Sequence, residues 1–171
     1  MAHTKRQIEN ARSIKQKEID FSTSRNMGRE LNILQANMRK IKEVQHALHN
    51  DIALVKFHFI LGQEPSCFLT EGQVILPGTN PRWARFVPSA VKQGPHPVRS
   101  CIWASRDLAV TQLYADSPDI TAVVAQVSDR RLLVISVYIP NRHTERTKDE
   151  NLLALTSRLE IINSIAQKEL L

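Results

Sequence analysis

Three short stretches of this chain end an apolar run in a side chain able to touch a metal ion or a phosphate. They are Leu31-Asn32-Ile33-Leu34-Gln35-Ala36-Asn37, Leu61-Gly62-Gln63-Glu64-Pro65 and Val134-Ile135-Ser136-Val137-Tyr138-Ile139-Pro140-Asn141. Strands that end at Asn37, Glu64 and Tyr138 would bring those groups to one rim of a sheet. The chemistry available there is that of a metal-dependent phosphodiesterase. Mg²⁺ prefers oxygen donors and is held by one or two carboxylates together with substrate phosphate and water. Glu64 would supply the carboxylate. Asn37 would orient Glu64 or a phosphate oxygen, and the Tyr138 hydroxyl would donate to a non-bridging oxygen. Each residue has a plainer use. Asn37 could cap the next helix or close the strand on its own backbone. Glu64 could be a surface-loop carboxylate, and Tyr138 a core residue with its hydroxyl at the rim.

Cationic side chains flank these motifs. Arg39, Lys40 and Lys42 follow Asn37, where they would meet a phosphate backbone. A second cluster, Arg82-Trp83-x-Arg85 with Lys92 and Arg99, lies in a stretch rich in Gly and Pro. There the arginines would track phosphates and Trp83 would stack on a base. The equal alternative is a solvated loop that Trp83 anchors to the core. His46 and His49 stand three apart with His58 nearby, but no cysteine or carboxylate completes a zinc set, so they read as surface histidines. His143 reads as a solvated turn residue. Ser66-Cys67 and Ser100-Cys101 have no paired base for nucleophilic catalysis.

The elements that must position these residues follow from periodicity. Residues 1–30 carry seven Lys/Arg against four Asp/Glu and few large apolar residues, which reads as a basic tail or linker with transient helix over Gln7–Ile19. A short strand opens at Leu31. Ile41–Asn50 reads as a helix with Ile41, Val44, Ala47 and Leu48 on its apolar face. Val55–Leu61 is an apolar run stopped by Pro65. Ser66–Pro97 is irregular, with strand candidates at Gln73–Leu76 and Trp83–Val87. Four β-branched runs follow at Val98–Ala104, Ala109–Tyr114, Ile120–Val127 and Leu132–Ile139. Their short connections predict antiparallel neighbours. A last helix carries Leu152, Leu155, Leu159, Ile162 and Ala166 in one stripe, with Thr147 or Asp149 as cap.

The whole chain, 171 residues with 42% hydrophobic residues, is expected to form one domain or part of one. A net charge of +6 and a pI of about 9.6 favour an anionic partner such as nucleic acid. No apolar run approaches the ~20 residues that span a bilayer, and the N-terminus lacks a signal-peptide core. Cys67 and Cys101, in apolar surroundings, read as buried thiols in a reducing compartment.

The motifs in this order resemble the endonuclease/exonuclease/phosphatase superfamily. The elements are Gln35-x-Asn37-x-Arg39-Lys40 after a strand, Gln63-Glu64-Pro65 one helix and one strand later, and Val137-Tyr138-Ile139-Pro140-Asn141 after a β meander. Over Leu31–Leu171 the chain is most similar to the apurinic-endonuclease-like domain of non-LTR (LINE-type) retrotransposons, particularly those of fungi. The resemblance implies a DNase I-like α/β sandwich and Mg²⁺-dependent nicking of DNA, leaving a 3′-hydroxyl for a reverse transcriptase. It implies Asn37 near metal and scissile phosphate, Glu64 as metal ligand and Tyr138 on the phosphate. Repair endonucleases carry an acidic residue two positions after the first-motif asparagine. Arg39 stands there, which agrees with the retrotransposon branch. The family's later Gly-Asp-x-Asn and Asp-His motifs have no match, nor does its general base. Residues 31–171 thus read as the N-terminal portion of the domain, inactive alone. Its expected partners are DNA and, further, the remaining half of the domain or a reverse transcriptase domain, inside the cell and in the nucleus if functional. A non-catalytic nucleic-acid-binding module and a degenerate element-derived reading frame are the alternatives.

Overall fold

The computed structural model describes residues 30–78, 80–139 and 148–170. The expectations for residues 1–29 and for Pro140, Asn141, His143 and Thr147 lie outside them. The chain divides into residues 1–31 and a unit of Asn32–Leu171, which holds every element named below.

That unit begins with β1 (Ile33–Asn37), α1 (Lys42–Asn50), a 3-10 helix (Ile52–Lys56) and β2 (Phe59–Gln63). β1 and β2 pair in parallel, Ile33 with Phe59 and Asn37 with Gln63. Parallel neighbours need a crossover, which α1 and the 3-10 helix provide. β3 (Phe68–Thr70) and β4 (Gln73–Ile75) form a hairpin closed by Glu71-Gly72, both at positive φ (51° and 77°), as a two-residue hairpin turn demands. β5 (Trp83–Phe86) and β6 (Ser100–Ser105) complete a four-stranded sheet in the order β1-β2-β6-β5. β7 (Ala109–Leu113), β8 (Ile120–Val127) and β9 (Arg130–Val137) form an antiparallel sheet of three, and α2 (Lys148–Leu170) follows.

Here one expectation is corrected. β6 and β7 are joined by a short turn yet belong to different sheets. The reason is that a strand has two edges, and those of β6 are taken by β2 and β5. The Ser105-Arg106-Asp107 turn, closed by Leu108 N–H on the Ser105 carbonyl at 3.1 Å, sends the chain into the second sheet.

The two sheets pack face to face, β2 and β6 against β8 and β9. A seam of polar contacts joins them: Ser100 Oγ and Thr121 Oγ1 at 2.8 Å, Ser136 Oγ on the Gly62 carbonyl at 3.3 Å, and Gln63 Nε2 on the Val137 carbonyl at 2.9 Å. Covered on both sides, β6 is buried at all six positions. Beneath the four-stranded sheet, Met38, Ile60, Cys101 and Trp103 pack with Leu48 of α1 and Leu54 of the 3-10 helix. Gly62 is required there, because a Cβ would come within 2.6 Å of both Cys101 Sγ and the Trp103 ring. On the far side Ile161, Ile162 and Ile165 of α2 cover Ala122, Leu133 and Ile135. The result is a mixed α/β sandwich of two sheets between helices.

Each helix keeps part of the face read from the sequence, Leu48 on α1 and Ile162 on α2, and turns other members of it to solvent. On α1, Ile41, Val44 and Ala47 are exposed, while Gln45 and His49 are buried. Gln45 Nε2 donates to the Pro77 carbonyl at 2.8 Å and its Oε1 accepts from Ser66 N–H at 3.1 Å. The helix is thus seated on loop backbone, whose polar groups a glutamine satisfies and a valine cannot. On α2, Leu152 and Leu159 are exposed and the buried side runs through Arg158, Ile161 and Ile165. A salt bridge from Arg158 to the buried Asp119 lies on that side. No helix among the described residues is long and apolar enough to cross a membrane.

Candidate functional site

Parallel pairing puts the C-terminal ends of β1 and β2 at the same edge, and Asn37 and Glu64 emerge there. The pairing continues past the strands: Met38 N–H reaches the Gln63 carbonyl and Lys40 N–H the Glu64 carbonyl, both at 2.8 Å. The loop after β1 is therefore clamped onto the residues that follow β2. Its geometry is strained. Arg39, Lys40 and Glu64 stand at φ of 50°, 62° and 46°, in the left-handed region that side chains other than glycine seldom occupy. Such outliers gather where surrounding contacts over-determine the backbone, and functional sites are the usual place.

Tyr138 reaches this edge from the other sheet. Side chains alternate along β9, so Ser136 and Tyr138 face the four-stranded sheet. The Tyr138 hydroxyl donates to Glu64 Oε1 at 3.1 Å, and Lys40 Nζ lies 3.6 Å from the same oxygen. Burial, then the Glu64 hydrogen bond and charge, push the Tyr138 phenol above its ordinary range. Asn37 is at the same edge, with its side-chain oxygen accepting Arg39 N–H at 2.8 Å in an Asx turn. That bond helps hold Arg39 in its left-handed conformation.

Five of the residues singled out in the sequence, Asn37, Arg39, Lys40, Glu64 and Tyr138, thus lie at one end of the sandwich. Arg82, Trp83 and Arg85 do not join them. Trp83 pairs with Ser105, at the end of β6 opposite Ser100 and Glu64. It is 3% exposed and part of the core, so its ring anchors the loop and offers no face to a base. Arg82 lies over the Trp83 ring and donates to the Val55 carbonyl. Arg85 donates to the Leu76 and Gly78 carbonyls at 2.9 and 3.0 Å.

Sequence reasoning missed the ion pairs behind Tyr138. Arg99, read there as a loop cation, grips Asp119 with two hydrogen bonds of 2.5 and 2.6 Å, and Arg158 reaches the same carboxylate at 2.5 Å. The Arg99 guanidinium also lies 5.1 Å from the Tyr138 ring centroid. An aspartate opening an otherwise apolar strand was the available signal, and Ser117-Pro118-Asp119 reads as ordinary turn chemistry instead.

The histidines are a second correction. His49 is buried with its ring edge-on to Trp103 at 4.7 Å. Burial first, then the Arg85 and His46 charges, pull its pKa from 6.5 to about 4. Among the described residues no three His, Cys, Asp or Glu side chains cluster as a metal set. Cys67 and Cys101 are buried free thiols whose pKa values burial raises, so neither is an activated nucleophile.

No protein-family model and no curated protein matches this chain. Among solved structures it is similar to the endonuclease domain of TRAS1, a telomere-specific non-LTR retrotransposon. The TM-score is 0.56 at 22% sequence identity, over 81% of this chain and 53% of that one. The shared property at this identity is the fold, and the chain spans about half the length of that domain.

Proposed function

We propose that this chain carries the metal- and phosphate-facing part of a DNA endonuclease site of the non-LTR retrotransposon kind. The observation that supports it most is Glu64. Its carboxylate is held at a strained turn between the Tyr138 hydroxyl and the Lys40 ammonium, at the edge where two sheets meet. The donor set fits Mg²⁺ in its sparse form, one carboxylate with the remaining positions left to water and phosphate. Glu64 is the ligand in this reading. A bound Mg²⁺ would polarise the phosphoryl oxygen and neutralise developing charge.

The chain's own residues do the rest. Tyr138 donates its proton to a non-bridging oxygen in place of Glu64. Lys40, 3.6 Å from Glu64, balances the carboxylate until a cation or phosphate arrives. Asn37 keeps the Arg39 turn in shape, and Arg39, exposed, meets the DNA backbone. Deprotonating a water is usually the work of an Asp or His, and the family's general base has no match in this sequence. Asp119, the acid nearest in the contact network, is committed to two arginines. We therefore propose that these residues bind DNA and metal without cutting, which also favours the second reading, a non-catalytic nucleic-acid-binding module.

Two measurements test this. Mn²⁺ binding, followed by electron paramagnetic resonance with a short duplex present, should weaken by about tenfold or more in Glu64→Gln. Unchanged Mn²⁺ affinity overturns the site. Supercoiled plasmid in Mg²⁺ should remain intact above background. Robust nicking that Glu64→Ala abolishes overturns the inactive reading.

A further inference from the structure

Glu64 and Tyr138 belong to different sheets, so their contact depends on how the sheets are registered at this edge. The strand ladders fix register only within each sheet. Arg99, just before β6, and Asp119, just before β8, span the gap. The Arg99 carbonyl accepts Glu64 N–H at 2.9 Å, and Arg99 N–H donates to the Pro118 carbonyl at 2.9 Å. The Arg99 guanidinium forks onto the Asp119 carboxylate, and the Asp119 carbonyl accepts Tyr138 N–H at 2.8 Å. The Tyr138 hydroxyl then returns to Glu64 at 3.1 Å. These links close a ring: Glu64, Arg99, Asp119, Tyr138 and back to Glu64. Arg158 of α2 adds a second guanidinium on the same Asp119 oxygen, Oδ2, with all three side chains largely buried (12% exposed for Arg158, 17% for Arg99, 4% for Asp119).

We infer that Asp119, gripped by Arg99 and Arg158, is a positioning residue of this site, locking the two sheets together so that Tyr138 meets Glu64. Its functional sense rests on the reading of Glu64 and Tyr138 given above. Arginine is specifically needed at position 99. A planar fork matches both carboxylate oxygens and stacks flat on an aromatic ring, whereas a lysine keeps the charge and loses the fork.

The test measures the Tyr138–Glu64 coupling itself. Urea unfolding of the parent, Glu64→Ala, Tyr138→Phe and the double variant forms a cycle in which any general destabilisation cancels. The expected coupling in the parent is about tenfold in the unfolding equilibrium constant, as for a hydrogen bond to a charged group. Repeated on Arg99→Lys and on Asp119→Asn, the coupling should fall to half or less of its parent value, the remaining seam bonds from Gln63 and Ser136 keeping the sheets partly in register. Asp119→Asn leaves two buried guanidiniums facing a neutral group and stands to lose its fold. Arg99→Lys preserves the charge balance and the backbone bonds, so it decides the matter in that event. Equal coupling in parent and Arg99→Lys overturns the proposal, as does the lack of coupling in the parent. The cycle uses neither metal nor DNA. Failure of Mn²⁺ binding at Glu64 would thus overturn the functional reading and leave the positioning result standing.

Discussion

Arg39, Lys40 and Glu64 hold backbone angles that cost an ordinary residue roughly 1–2 kcal/mol each relative to the right-handed region. The loop tolerates this because Asn37 and the carbonyls of Gln63 and Glu64 bind its amides. A turn optimised for stability alone would use glycine. Arg39 is exposed, so replacing it should release strain and lose little packing. Arg39→Gly should therefore stabilise the fold by up to about 1 kcal/mol, the strain relief less glycine's own entropic cost. The same variant should bind DNA more weakly, with a salt dependence shallower by about one in log–log slope. Urea unfolding and titrations at two salt concentrations check both halves. Stability lost without a change in DNA affinity would mean that the turn is structural.

At the scale of elements, α1 is the part whose packing departs most from its apolar pattern. It is seated through Gln45 and His49, two polar residues, against loop backbone and Trp103. A buried imidazole makes the helix sensitive to acid. His49 has a folded pKa of about 4, below its ordinary 6.5, so between those values the unfolded chain takes up a proton that the folded chain refuses. Stability from this group is complete above pH 6.5 and declines as pH falls towards 4, by up to about 3 kcal/mol. His58 is shifted in the same direction by burial and adds to the trend. His49→Leu should flatten the decline between pH 6.5 and 4 when urea midpoints are compared across that range. Parallel pH profiles for the two proteins would show that His49 is solvated.

The whole molecule joins a basic surface to an edge where two sheets meet. The net charge is +6, yet the structure uses several cations internally: Arg99 and Arg158 on Asp119, Arg82 and Arg85 on loop carbonyls. Charge alone therefore overstates the area open to a phosphate backbone. Arg39 and Lys40 remain beside Glu64. Duplex DNA should bind weakly and salt-sensitively, since each phosphate neutralised releases counterions. Arg39→Ala with Lys40→Ala should reduce the log–log salt slope by about two, equally for unrelated sequences. Arg82→Ala should leave it unchanged, because that guanidinium is engaged at the other end of the sheet. An unchanged slope in the double variant would remove the rim from the DNA-binding surface.

What the sequence determined by itself is local. β-Branched runs such as Ile120–Val127 become strands because such side chains fit a pleated surface covered on both faces. Asn37, Glu64 and Tyr138 could be placed at strand ends because each follows an apolar run, with Pro65 directly after Glu64 and Pro140 two residues after Tyr138. The tertiary structure decided what depends on partners distant in the chain. It put β6 and β7 in separate sheets because both edges of β6 were already paired. It buried Trp83 because β5 pairs beside β6 and that ring joins the core with Trp103 and Cys101. It set Arg158 of α2 against Asp119, 39 residues away, and left Leu152 and Leu159 of the expected stripe exposed. A charged group committed to a buried partner and one left for solvent look identical in a sequence. The difference lies in desolvation, which is set only once the two sheets have closed on each other.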